Sequence, residues 1–173
     1  MRVLSPALAA LALAAPGLAP AQEMSSNRIA AQKDWSLFQE GSPAACWTAS
    51  APIEQVNTRD GQPASVQRDP AQLSILYDPA QGATGQVWFT GGYTFASGVP
   101  VTMEIDGTTY TLFSEGIQAY AASPEEDARI IAAMKAGSQA VVSGRSGRGT
   151  DTRDTFSLAG FTAMVEAAAD CAS

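Results

Sequence analysis

The chain has no histidine, and among its 173 residues it has only two cysteines and two lysines. Without imidazole there is no Ser-His-Asp triad, no Cys-His dyad and no histidine metal site. Two cysteines are too few for a four-cysteine zinc site or an all-cysteine iron–sulfur cluster. Cationic charge is scarce, with 10 Lys and Arg against 17 Asp and Glu and a net charge of −7. Such a surface argues against a nucleic-acid partner, whose binding requires counterion displacement by a basic face. The sequence also lacks a G-x-S-x-G elbow, an S-x-x-K pair and a Gly-Lys-Ser/Thr phosphate loop. No catalytic, cofactor-binding or metal-ligating residue is therefore expected, and no cofactor. What remains is 46% hydrophobic and 16% charged, a globular balance rather than that of a disordered polyelectrolyte.

One apolar run stands at the start. Arg2 precedes the Ala/Leu-rich stretch Val3 to Leu18, and Ala19-Pro20-Ala21 offers small residues before a cut. This reads as a secretory signal peptide over residues 1–21. Pro6, Pro16 and Gly17 interrupt the run, which suits a bilayer anchor of about 30 Å poorly. No second apolar stretch of about 20 residues follows, so no transmembrane segment is expected after cleavage. Loss of Arg2 leaves nine basic against 17 acidic groups, a net −8. In an oxidising compartment the even pair Cys46 and Cys171 reads as a disulfide, with two free thiols the alternative. Neither cysteine has the cationic neighbours that would make a reactive thiolate.

Residues 22–32 read as a loose, flexible lead-in, and residues 33–173 as one domain. Short runs at 35–38, 45–53, 72–77 and 85–90 read as strands. Leu73, Ile75 and Tyr77 show the period-two alternation of a half-buried strand. Val101 to Phe113 predicts a hairpin about an Asp106-Gly107 type I′ turn. That turn pairs Ile105 with Thr108, Met103 with Tyr110 and Val101 with Leu112. Ser123-Pro124-Glu125-Glu126 is a capping box that opens a helix closed by Gly137. A second helix, from about Gly160, carries the stripe Phe161, Met164, Val165 and Ala168. The expected fold is mainly β, an antiparallel β-sandwich of jelly-roll or Greek-key type with one inserted and one C-terminal helix.

Two segments invite functional readings. The loop Gly144 to Gly149 carries Arg145, Ser146 and Arg148, and its glycines and cations could cradle an anion. The plainer reading is a solvated hairpin loop whose arginines meet acids such as Asp151 and Asp154. Trp88, Tyr93 and Phe95 would form a partner patch if exposed, and core if buried. Trp35, Trp47 and Trp88 read as packing rather than as a ligand platform.

The order of markers is distinctive. Lys33-Asp34-Trp35 opens the domain, and Cys46-Trp47 and Thr90-Gly91-Gly92-Tyr93 follow. Ser123-Pro124-Glu125-Glu126-Asp127, Met134-Lys135-Ala136-Gly137 and the Gly144 to Thr150 loop come next. Phe156-Ser157-Leu158-Ala159-Gly160-Phe161-Thr162-Ala163 leads into the last helix. The whole resembles the invasion-associated locus B family of exported bacterial proteins. The resemblance implies a location in the periplasm or outer membrane of a Gram-negative bacterium, or secretion. It also implies a link with host-cell invasion in the founding members and no established enzymatic activity. Many members carry a cysteine about four residues after the opening tryptophan. Here Gln39 holds that position, so the resemblance supplies no pairing for Cys46 and Cys171. The expectation is a non-enzymatic envelope protein that binds an unidentified protein or glycan of the envelope or host surface. The alternative is a module for small anionic ligands built on the Gly/Arg loop.

Overall fold

The computed structural model describes residues 27–173. The segment read as a signal peptide lies outside them, as does the start of the lead-in. The elements are β1 (Arg28–Gln32), β2 (Trp35–Glu40), β3 (Ala45–Ser50), β4 (Glu54–Arg59), β5 (Gln62–Pro63), β6 (Gln72–Asp78) and β7 (Ala83–Thr90). Then follow β8 (Val101–Ile105), β9 (Thr108–Glu115), β10 (Gln118–Tyr120), α1 (Pro124–Ala136), β11 (Gln139–Arg145), β12 (Asp151–Ser157) and α2 (Phe161–Cys171). The end of the stretch read as lead-in is thus a strand, β1, paired antiparallel with β2.

The twelve strands form one antiparallel sheet in the order β1-β2-β3-β6-β7-β10-β9-β8-β11-β12-β4-β5. Strand β9 belongs to both halves. Thr108 to Leu112 pair with β8, and Phe113 to Glu115 pair with β10. The halves fold face to face over one core. Leu73, Ile75, Val87 and Phe89 from one half share a buried cluster with Met103, Ile105, Val142 and Phe156 from the other. Phe89 meets Phe156 edge-on across the layers, with ring centroids 6.0 Å apart. Trp35 is fully buried, and its indole N–H donates to Ser157 O at 2.9 Å, tying β2 to β12. The result is a sandwich-like, mainly β domain, as the alternation of apolar residues predicts.

The β8–β9 hairpin has the expected register, and both Asp106 and Gly107 adopt positive φ. In α1 the Ser123 side chain accepts from Glu126 N–H, and Pro124 occupies the first turn. Gly137 is present for a different reason than handedness. Its φ is −87°, but a Cβ there would lie 2.8 Å from Ile105 Cγ2, so the helix end must run bare against β8. In α2, Phe161, Met164, Val165 and Ala168 are buried as the stripe predicts. Phe161 packs edge-on against Trp35 at 4.7 Å. Cys171 is bonded to Cys46 of β3, closing a sequence separation of 125. Among the described residues no helix is long and apolar enough to cross a membrane.

Candidate functional site: an arginine-lined cleft

Where β4 pairs with β12, the face turned away from solvent is polar. Asn57 opposes Thr152, and Gln55 opposes Asp154. An inner sheet face should be apolar, so this stretch must satisfy its polar atoms in another way. The segment between β5 and β6 passes over it and inserts Arg68. The Arg68 guanidinium grips Asp154 with both nitrogens, one of them at 2.8 Å, and also donates to Gly91 O at 2.9 Å. Side-chain exposure is 7% for Arg68 and 0% for Asp154, so the pair is buried. A bidentate guanidinium–carboxylate pair is among the strongest charge-assisted contacts, and removing one partner alone strands a buried charge. Gln55 adds a longer contact to Asp154 at 3.4 Å.

Tyr93 lies beneath the same guanidinium, 5.8 Å from ring centroid to Cζ. Its hydroxyl shares a hydrogen bond with the Thr152 hydroxyl. Burial raises the Tyr93 phenol above its ordinary pKa, so it is neutral at physiological pH. Gly92 lets the backbone enter here. Its φ is +75°, and a Cβ would fall 1.9 Å from Asp69 O.

Above this floor opens a cleft of about 680 Å³ lined by Arg59, Arg68, Arg148, Tyr93, Asp69 and Thr150, among others. Arg59, at the end of β4, donates to the Thr150 hydroxyl at 2.8 Å. Neither Arg59 nor Arg148 has an acidic partner among the described residues. Since Asp154 neutralises Arg68, the cleft presents two uncompensated guanidinium groups against the rim carboxylate of Asp69. That is a local cationic surplus on a strongly acidic protein.

The Gly/Arg loop takes part differently from its sequence reading. Its backbone is not an open anion nest, because the amides of Ser146, Gly147, Gly149 and Thr150 are already bonded. Ser146 N–H donates to Thr150 O, Gly147 N–H to Thr94 O, Gly149 N–H to Ser146 O, and Thr150 N–H to Ser146 Oγ. Ser146 is buried in this role. Arg145 turns away from the cleft and binds both carboxylate oxygens of Asp151, at 2.9 and 3.0 Å. Of the two loop arginines only Arg148 reaches the cleft. Its companions Arg59 and Arg68 escaped the sequence reading. Arg59 had an available signal: Asp60-Gly61 repeats the hairpin dipeptide, and both residues have positive φ. Arg68 had none, since its partner lies 86 residues away.

The three aromatics of the candidate patch do not come together at the surface. Phe95 is 7% exposed and packs on Phe89 and Tyr93, while Tyr93 lines the cleft. Trp88 points to the opposite side of β7 from Phe89, so the three do not share a surface.

Comparison with curated proteins returned no match. Among solved structures, the chain is similar to the invasion associated protein B of Bartonella henselae, with a TM-score of 0.53 and 14% identity. The alignment covers 80% of this chain and 94% of that one. At that identity the likeness speaks for the fold alone. The family model described as "Invasion associated locus B (IalB) protein" matches residues 38–169, which takes in β3 with Cys46, the cleft, α1 and most of α2. The chain therefore belongs to the invasion associated locus B family.

Proposed function

We propose that the protein is exported to the cell envelope after loss of residues 1–21 and acts there by binding rather than by catalysis. In this reading, the arginine cleft takes an acidic group of an envelope or host-surface molecule. The observation that carries it is the pair Arg59 and Arg148, without acidic partners, above the buried Arg68–Asp154 floor. A guanidinium offers planar, paired donors to a carboxylate, sulfate or phosphate. The disulfide and the absence of a membrane-spanning helix among the described residues support an exported setting.

Thermal-shift titration with phosphate, sulfate and oligogalacturonate tests the cleft. At least one anion should raise Tm. The shift should vanish in Arg59→Ala plus Arg148→Ala and persist in Arg145→Ala, whose guanidinium faces elsewhere. No shift with any of the three anions, or one indifferent to the double substitution, rejects the cleft as an anion site.

A further inference from the structure

The sandwich has two outer faces, and they differ in chemistry. On the β4-β12-β11-β8 side the register places Glu54, Asp151, Arg153, Arg145 and Glu104 outward among threonines. Opposite charges neighbour one another there, as on an ordinary solvated sheet. On the other side, two adjacent rows cross the strands. One runs Phe38, Trp47, Leu76, Gln86, and the other Ser36, Ala49, Ser74, Trp88, Tyr120, Phe113. None of these ten residues is charged.

Phe38, Trp47, Leu76, Trp88 and Tyr120 are half-buried, yet none belongs to the core cluster or to the side chains packed against it. They shield one another instead. The Phe38 and Trp47 rings stack at 5.5 Å with planes 9° apart. Phe113 ends the second row at 63% exposed. Between Ala49 and Trp88, the Ser74 hydroxyl is buried with no hydrogen-bond partner among the described residues. Both helices lie on the inner side, so neither covers this face: α1 buries Ile130 and Met134, and α2 buries Phe161 and Val165, in the core cluster.

We propose that this face binds an uncharged polysaccharide chain laid across the strands. Three observations select that occupant. The ten positions carry no charge, and the acids at their margins, Glu40 and Glu115, would repel a phosphate or a carboxylate, which favours a neutral ligand over an anion. The strip spans six strands, about 24 Å, and two side-chain rows, of the order of 300 Å². A stable protein interface needs roughly 800 Å² per partner, so a second copy of the chain is poorly served. An extended peptide crossing the strands would find no backbone partners, because the sheet's own N–H and C=O groups are paired with each other. Sugar rings present C–H faces suited to aromatic rings, and hydroxyls suited to Gln86, Gln118, Ser36 and Tyr120. Gln118 already accepts from the Tyr120 hydroxyl on this face.

The test is titration of the whole domain with maltohexaose, cellohexaose and chitohexaose, followed by tryptophan fluorescence and calorimetry, with oligogalacturonate as the charged counterpart. Trp35 is sealed in the core, so a spectral change reports Trp47 and Trp88. At least one neutral hexamer should bind. Trp88→Ala should weaken it about tenfold, the scale of one lost aromatic contact. Phe113→Ala and Gln86→Ala, at positions outside the core, should weaken it less while leaving Tm unchanged, and Arg148→Ala should have no effect. The proposal is overturned if no neutral hexamer binds or if binding survives Trp88→Ala and Phe113→Ala alike. It is also overturned by a dimer that Phe113→Ala dissolves, which would assign the face to a second copy.

Discussion

Asp127 shows how one side chain can serve both a helix and a sheet. Strand β10 ends at Tyr120, opposite Trp88, so Val87 N–H has no strand partner beyond it. The Asp127 carboxylate, on the first turns of α1, accepts that N–H at 2.8 Å in a buried contact. Burial raises the Asp127 pKa, and the Val87 hydrogen bond opposes the shift without cancelling it. The sign follows from linkage. A carboxyl with a raised native pKa holds its proton more tightly in the folded state than in the unfolded one. Its contribution therefore favours the fold at low pH, near and below the ordinary Asp value of about 3.9, and is lost as pH rises through the raised native value. Urea unfolding from pH 4 to pH 7 should show the natural protein losing stability relative to Asp127→Asn, which keeps an acceptor but cannot ionise. Asp127→Ala should cost about 1–3 kcal/mol at pH 7, because it strands the buried Val87 donor. A constant difference between the natural protein and Asp127→Asn across that range would refute the ionisation argument.

At the scale of elements, the disulfide is the clearest lever. It joins β3 to the last residue of α2 across 125 residues. Loop-closure entropy for so long a span implies about 4–5 kcal/mol, and measured removals of native bridges cluster at 2–5. Cys46→Ser plus Cys171→Ser should lower unfolding free energy by about 2–4 kcal/mol and speed amide exchange in α2 before that in β6 and β7. Equal protection in α2 with and without the bridge would show that Phe161, Met164 and Val165 hold the helix unaided.

The elements also divide by how legible they were. Those lying over the apolar core announce themselves, as the alternation in β6 and β8 and the Ser123 cap of α1 do. Strand β4 does not. Its residues Gln55, Asn57 and Arg59 are polar, with Arg59 lining the cleft, so the apolar period that marks a strand is missing beside the candidate site. Strand β1 is exposed at all five positions and pairs on one side only, so it too shows no alternation. Arg148 was legible because its glycine-rich loop is local. The Arg68–Asp154 pair was not, because the fold, not the spacing, brings its members together. Trp47 and Trp88 read as packing, which is half right. Trp47 packs on Phe38 at the surface, and Trp88 lies half-buried outside the core cluster.

For the whole molecule, the shared strand β9 sets the cooperativity. It pairs with β8 in one half and β10 in the other, and both halves contribute to one core cluster. Neither half has a core of its own to retain. Unfolding followed by tryptophan fluorescence, near-UV and far-UV circular dichroism should therefore give coincident single transitions. A far-UV signal that persists past loss of the near-UV signal would show that one half survives alone.

The meeting of chain ends has a temporal consequence. Trp35, near the start of the domain, is sealed by Ser157 and Phe161, and Cys46 by Cys171. A polypeptide released from its N-terminal end must leave β2 and β3 without their cover until the final eleven-residue helix emerges. Contacts of such long range form late and slowly, because loop closure comes before any reward. The cover of Trp35 and Cys46 is therefore complete only once α2 has docked.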